Sequence, residues 1–238
     1  MAHKRKVRVT MQIELAREQM IEQQVRAVDV LDERVLTTLR KVPRELFVPD
    51  GVKYLAFADT EIPLPHGQHM LRPSLAGKIL QALDLQGTER VLEVGTGTGF
   101  LTACLAVNAA SVRSVELYPD LADMARVNLR AAGIRNVEVI TADAASDQVA
   151  SPAARAAGSP FGGLYEVVVL TCAMPLPDER FRTLLTQGGR MFVIVGEPPV
   201  QEARLLRRMG DTEWERTVLF ETCIDPLLNA RRAESFTF

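Results

Sequence analysis

The stretch that most constrains this chain is Val91-Leu92-Glu93-Val94-Gly95-Thr96-Gly97-Thr98-Gly99-Phe100. Branched and aliphatic residues run into three glycines at alternate positions, and a helical apolar pattern through Leu101, Leu105 and Ala106 follows. This reads as strand, tight glycine turn and helix. A side chain at the glycines would block either the reversal of the backbone or the approach of a ligand to it. In an open α/β sheet such a turn sits at the carboxyl end of a strand, where ligands bind at the topological switch point. A nucleotide-like ligand is therefore the first expectation.

Spacing narrows the ligand. A dinucleotide fingerprint reads G-x-G-x-x-G and seats a pyrophosphate on the helix N-terminus, whereas here the glycines fall G-x-G-x-G with Glu93 two residues ahead. About 20 residues on, Val112-Arg113-Ser114-Val115-Glu116 reads as a second strand ending in an acid, from which a carboxylate can take both ribose hydroxyls. A third strand, Val137-Glu138-Val139-Ile140, delivers Asp143 to the same edge, within reach of an adenine amino group. Ribose and adenine without a diphosphate fit S-adenosylmethionine, with S-adenosylhomocysteine as its product. The expected cofactor-holding residues are Glu93, Gly95, Thr96, Gly97, Gly99, Glu116, Leu117, Asp143 and Ala144. The combination resembles motif I and its followers in class I methyltransferases. A nicotinamide-dependent oxidoreductase would need a different fingerprint.

Composition bounds the rest. At 238 residues, 47% apolar and 24% charged, the chain has the make-up of a soluble globular protein with room for one large α/β domain. Its 28 Lys and Arg against 30 Asp and Glu create no global field for nucleic acid or an anionic membrane, and neither is expected as a partner. Cys104, Cys172 and Cys223 are odd in number, far apart and set in apolar runs, which reads as reduced core thiols in a cytoplasmic protein. No apolar run approaches the roughly 18 residues of a membrane span. His66 and His69 lie three apart, but no acid or cysteine cluster joins them, so no metal is expected.

Along the chain, residues 1–10 read as a disordered basic lead, 11–89 as N-terminal helices and a substrate loop packed on the core, and 90–238 as the cofactor-binding core, all one domain. Helices are expected over Gln12 to Val28 and from Asp32, an N-cap, to Val42 before Pro43. Residues 43–73 carry Pro43, Pro49, Gly51, Pro63, Pro65, Gly67 and Pro73 and hold no clear helix; a loop this long is usually functional. Helix and strand then alternate, with a low-complexity insertion from Ala144 to Gly163 expected to be mobile. Tyr165 to Thr171 reads as a buried parallel strand, Asp178 to Thr186 as a helix closed by Gly188-Gly189, Arg190 to Gly196 as a strand, Gln201 to Met209 as a short helix and Trp214 to Ile224 as an antiparallel edge strand. The expected architecture is a doubly wound, mostly parallel sheet with an N-terminal helical cap.

A narrower resemblance rests on particular runs: Val42-Pro43-Arg44-Glu45-Leu46-Phe47-Val48-Pro49, then Ala56-Phe57-Ala58-Asp59, Gly67-Gln68, Pro73 and Val91 to Leu105. With Ser114-Val115-Glu116, Asp143, Thr171-Cys172-Ala173 and Leu185 to Gly189, these look like the protein-L-isoaspartate (D-aspartate) O-methyltransferase family over roughly residues 20 to 227. The resemblance implies methyl transfer from S-adenosylmethionine to isoaspartyl residues of damaged protein. It places Asp59, Gln68, His69, Leu71 and Thr171 against the substrate.

The departure falls in the substrate loop. The family reads G-x-G-Q-T-I-S-x-P, and this chain reads Pro65-His66-Gly67-Gln68-His69-Met70-Leu71-Arg72-Pro73. The catalytic serine therefore falls on Leu71, which can neither donate nor accept a hydrogen bond. A carboxylate acceptor is already ionised at neutral pH and asks for position and desolvation more than for a base. His69 or Arg72 is expected to supply what the serine would have supplied, Arg72 because its guanidinium matches a carboxylate bidentately. The alternatives are a loop rebuilt for another acceptor, with His69 as general base, and a cofactor-binding protein without catalysis.

Overall fold

The structure, a computed structural model, describes residues 2–149, 156, 158–177 and 179–231. Seven strands form the central sheet: β3 (Arg90–Val94), β4 (Ser111–Glu116), β5 (Val137–Thr141), β6 (Tyr165–Met174), β7 (Leu185–Glu197), β8 (Val200–Arg208) and β9 (Trp214–Thr222). Their order is β5-β4-β3-β6-β7-β8-β9. The pairs from β5 to β7 are parallel; β8 and β9 run antiparallel, with β9 at the edge. The chain leaves β3 for β4 and β5 on one side and returns to its other flank as β6, so the switch point lies at the carboxyl end of β3.

Residue alternation divides the core between the two faces of the sheet. Val91, Val112, Val167 and Val169 join one cluster with Phe47, Leu75, Ile79 and Phe100, whereas Leu92, Val94, Val115, Val168 and Leu170 join the other with Phe161, Phe181 and Met191. Val167 to Leu170 have no exposed surface, as a strand covered on both faces requires.

Among the described residues five α-helices surround the sheet: α1 (Ala2–Met20), α2 (Glu33–Lys41), α3 (Pro73–Leu83), α4 (Phe100–Val107) and α5 (Pro119–Ala131). Helix α1 continues through a π-helical turn, Ile21–Val25, and a 3-10 turn, Arg26–Val28. It reaches back to Ala2, where a disordered lead was expected; no proline or glycine interrupts residues 1–42, and Lys and Arg are good helix formers. Asp32 caps α2 as expected, its side chain accepting from the Arg34 amide at 2.8 Å. Between α2 and α3 lie 3-10 turns and a short hairpin of β1 (Ile62–Pro63) and β2 (His69–Met70), with no α-helix.

Two expected helices are absent. Phe181–Leu184 forms only a 3-10 turn before β7 begins at Leu185, whose ladder partner is Tyr165; Asp178 lies outside the described residues. Gly188-Gly189 do not close a helix but sit in a bulge, where Leu185 pairs with Tyr165 and Arg190 with Val167. The stretch expected as a helix over Gln201 to Met209 is instead occupied by strand β8 (Val200–Arg208), paired along its length with β7 and β9. Good helix formers were overridden there by two neighbouring ladders and by burial of Gln201, Ala203 and Leu205 at every second position. Residues 150–155 and 157 of the insertion expected to be mobile lie outside the described residues; Val149 and Phe161 flank them in the core.

Candidate functional site

A cleft of about 780 Å³ opens at the carboxyl edge of β3, β4, β5 and β6. Its floor is Val94, Gly95, Gly97 and Glu116; Leu117, Tyr118 and Ala142 to Ala144 form one wall, Thr171 and Cys172 another. The loop residues Glu61, Leu64, Gln68, His69 and Leu71 and the segment from Ile224 to Leu228 close over it.

The glycine turn runs with positive φ at Gly95, Gly97 and Gly99. A Cβ at Gly95 would collide with Thr171 Oγ1, whose hydroxyl donates to the carbonyls of Val94 and Gly95 at 2.9 and 2.7 Å. Thr171 thus fastens β6 to the turn. A Cβ at Gly97 would meet only Leu64, 3.7 Å away, so the space above this residue is left to a ligand. Gly99 serves packing, since its missing side chain makes room for Ala125 and Leu129 of α5.

Glu116 is the fixed acid of the cleft. The Gly97 amide donates to its Oε2 at 2.8 Å and the Tyr118 amide to its Oε1 at 3.1 Å. These bonds aim the carboxylate and leave lone pairs on both oxygens for a ligand. Asp143 accepts from the Ala145 amide at 2.8 Å and from Asn229 Nδ2 at 2.9 Å, so the C-terminal segment reaches the acid expected to meet adenine.

Glu93 does not line the cleft. Its ladder partner is Ser114, and it lies wholly buried beneath the glycine turn, where Thr102 Oγ1 and Ser114 Oγ donate to Oε2 at 2.5 and 2.7 Å. Ser114 Oγ also lies 2.5 Å from Thr96 Oγ1, so Glu93, Ser114 and Thr96 form one buried chain under the turn. Burial pushes the Glu93 carboxyl up to about 7, the two hydroxyls opposing and the Glu116 charge adding to the rise. Oε1 has no partner. Glu93, Thr96 and Gly99 therefore shape the turn from below and behind.

The loop is held by Arg44, which is fully buried. Its guanidinium donates to the carbonyls of Ala56 at 3.0 Å and Leu71 at 2.8 Å and lies 4.7 Å from the centre of the Phe100 ring. Gln68, His69 and Leu71 face the cleft. Arg72 does not; its guanidinium lies 3.4 Å from Thr222 Oγ1. Asp59 also stands outside, capping α3 by accepting from the Ser74 amide at 2.9 Å. Asp59→Ala should cost about 1 kcal/mol of stability, read as a lowered melting temperature, without weakening cofactor binding.

The two loop histidines diverge. His66 stacks on Tyr118 with ring centres 3.9 Å apart and pairs with Asp120 at 2.9 Å, whereas His69 Nδ1 pairs with Asp225 Oδ2 at 3.0 Å. Among the described residues no group of three potential metal ligands occurs. Cys104 is buried as expected and Cys172 lines the cleft, its thiol pushed up to about 12 by burial and then by the Glu116 and Asp225 charges, but Cys223 is exposed and is not a core thiol. It lies just beyond β9, in the segment leading to the cleft.

Sequence reasoning missed Glu61, Leu64, Tyr118 and the entire 224–228 segment. Tyr118 was within reach, since it directly follows the acid-ended strand. The segment carries no motif; it is held by bonds from the Ala173 amide to the Asp225 carbonyl at 2.8 Å and from the Leu227 amide to the Ala173 carbonyl at 2.7 Å.

These residues sit within a wider likeness. The family model described as "Protein-L-isoaspartate(D-aspartate) O-methyltransferase (PCMT)" matches residues 15–231. A protein-L-isoaspartate O-methyltransferase of Methanoculleus marisnigri is 37% identical over 89% of this chain and 91% of its own length. One from Anaeromyxobacter is 38% identical over 87% of this chain and 93% of its own. A crystal structure described as a protein-L-isoaspartate O-methyltransferase (PCMT) from Plasmodium falciparum in complex with S-adenosyl-L-homocysteine superposes with a TM-score of 0.74 at 20% identity, over 90% of this chain and 98% of that one, and shares the fold. With the family model spanning all but the ends and relatives this similar over nearly their full length, the chain belongs to the protein-L-isoaspartate (D-aspartate) O-methyltransferase family.

Proposed function

We propose that this cleft binds S-adenosylmethionine and directs its methyl group to the carboxylate of L-isoaspartyl residues in proteins and peptides. The observation that carries the cofactor is the donor set. Glu116 is presented by two backbone amides beside an open Gly97, and no Lys or Arg stands among the described residues lining the cleft. Such a site has an acceptor for ribose hydroxyls and nothing to neutralise a diphosphate; its acidic lining suits a ligand bearing a positive charge. Gly95, Gly97, Glu116, Leu117, Asp143 and Ala144 would hold the cofactor, and Gln68, His69, Leu71 and Thr171 would face the acceptor.

When bound, S-adenosylmethionine supplies an activated methyl on a sulfonium. An acceptor carboxylate would take that methyl without a base, and Gln68, His69, Leu71 and Thr171 would hold it in line and away from water. No proton moves, so the chain's task is to align and desolvate. The loss of the family's serine at Leu71 removes a positioning group, not a base. Family membership and the relatives' names support this acceptor. Free cysteines, one deeply buried, support a reducing, cytoplasmic setting, and no helix among the described residues is long and apolar enough to cross a membrane.

The test is methyl transfer from radiolabelled S-adenosylmethionine to an isoaspartyl peptide beside its aspartyl twin, with S-adenosylhomocysteine titrated calorimetrically. Label on the isoaspartyl peptide alone is expected. Cofactor binding with neither peptide labelled would reject the acceptor, and no binding would reject the whole reading.

A further inference from the structure

An acceptor carboxylate must enter a cleft that is already acidic. Glu61, Glu116, Asp143 and Asp225 all line it, and among the described lining residues only His69 can carry a positive charge. Arg72, the nearest cation along the chain, is turned to Thr222. His69 sits on β2, paired across the hairpin with Pro63, between the loop and the C-terminal segment, and Asp225 approaches its Nδ1 with both oxygens, at 3.0 and 3.2 Å. Asp225 from the C-terminal segment is the group in contact with His69, and the other titratable groups lining the same cleft are Glu61 from the start of the loop, Glu116, Tyr118 and Asp143 from the sheet edge, and the Cys172 thiol from β6. His66 is spent on Asp120.

We propose that His69, as an imidazolium held by Asp225, is the group that binds the acceptor carboxylate in this chain, with Asp225 as its positioning residue. An imidazolium bonded through Nδ1 keeps Nε2–H as a second donor, and among the described lining residues this is the one charge-assisted donor a carboxylate can meet in an otherwise acidic cleft. Asp225 fixes the ring, while Leu71 leaves an apolar wall where the family's hydroxyl would have stood. This inference rests on the isoaspartyl reading and adds a property that reading alone does not require: acceptor affinity must weaken as His69 loses its proton. Histidine is the side chain whose charge changes nearest neutrality, whereas the acceptor carboxylate stays ionised above about pH 5.5.

The experiment measures KM and kcat for an isoaspartyl peptide from pH 5.5 to 8.5 in wild type, His69→Gln, His69→Arg and Asp225→Asn. Alongside, calorimetric binding of the same peptide in the presence of S-adenosylhomocysteine reads affinity without turnover. In wild type KM should rise with pH while kcat changes little. His69→Gln should raise KM about tenfold at pH 6 and flatten its pH dependence, and His69→Arg should restore a low, flat KM. Asp225→Asn should raise KM at pH 6 with kcat little changed, because the ring loses the carboxylate that orients it. A pH-dependent KM persisting in His69→Gln, or an unchanged KM in that variant, would overturn the assignment even though the peptide is methylated. If wild type methylates the peptide at no pH, the isoaspartyl reading itself falls and this one with it. A misfolded variant is recognised by its failure to bind S-adenosylhomocysteine; His69→Arg then carries the test alone, and a KM in that variant still rising with pH as in wild type would overturn the assignment.

Discussion

Glu116→Ala should weaken S-adenosylhomocysteine binding by about one hundredfold. The magnitude follows from what the carboxylate does on both of its sides. Toward the protein it accepts from the Gly97 and Tyr118 amides; toward the cleft its remaining lone pairs would take the two ribose hydroxyls of the proposed cofactor. Hydrogen bonds to a charged group contribute about 1.5–3 kcal/mol each, and a loss near 3 kcal/mol corresponds to about two decades of affinity. Alanine also strands the Gly97 amide at the floor of the site, so the turn loses part of its preorganisation with the same substitution. Isothermal titration against wild type decides it. A loss of less than threefold would mean that Glu116 orders the turn and touches no ribose. Glu116→Gln separates the two contributions: its carbonyl can still accept one bond, but its amide group opposes a backbone donor, so an intermediate loss is expected.

The features legible in the sequence were those written locally. Strand β3, its glycine turn and α4 were readable because apolar run, glycines and helical pattern are contiguous, and Glu116 and Asp143 were readable because each ends a strand of regular spacing. Glu93 was assigned to the right neighbourhood but to the wrong side of the turn. Its period-2 position, opposite Ser114, sends it into the core, and only the register of β3 against β4 reveals that. Asp59 and Arg72 sit in the right loop yet point at Ser74 and Thr222, because the loop is threaded by the buried Arg44 along a path no local pattern encodes. Strand β8 and the C-terminal segment depend on partners far along the chain, and helix-favouring residues such as Glu202, Ala203, Arg204 and Leu205 pointed the other way. Asp225 was missed for the same reason: 156 positions separate it from His69.

Glu93→Gln should leave stability little changed below about pH 4.5 and raise it by up to about 3 kcal/mol at pH 8.5. In the folded chain the carboxyl is pushed up to about 7 because it is wholly buried, against an ordinary value of 4.5 for a free glutamate. The folded state therefore binds the proton more tightly than the unfolded one. The contribution of a protonated Glu93 is fully present below about pH 4.5 and is lost as pH rises through about 7, since the unfolded chain has by then released its proton without penalty. Each unit of difference is worth 1.36 kcal/mol, which over this window gives the stated magnitude. Glutamine keeps an oxygen to accept from Thr102 and Ser114 and carries no charge to desolvate, so it escapes the loss. Its amide nitrogen would replace Oε1, which has no partner among the described residues either, so the two side chains start near parity when Glu93 is protonated. Urea unfolding of both proteins at several pH values measures the difference directly. Parallel stability curves would show that Glu93 titrates in the folded chain as it does in the unfolded one. A gap that widens between pH 5.5 and 8.5 would place a neutral carboxyl beneath the glycine turn, where the charge left facing the cofactor is that of Glu116.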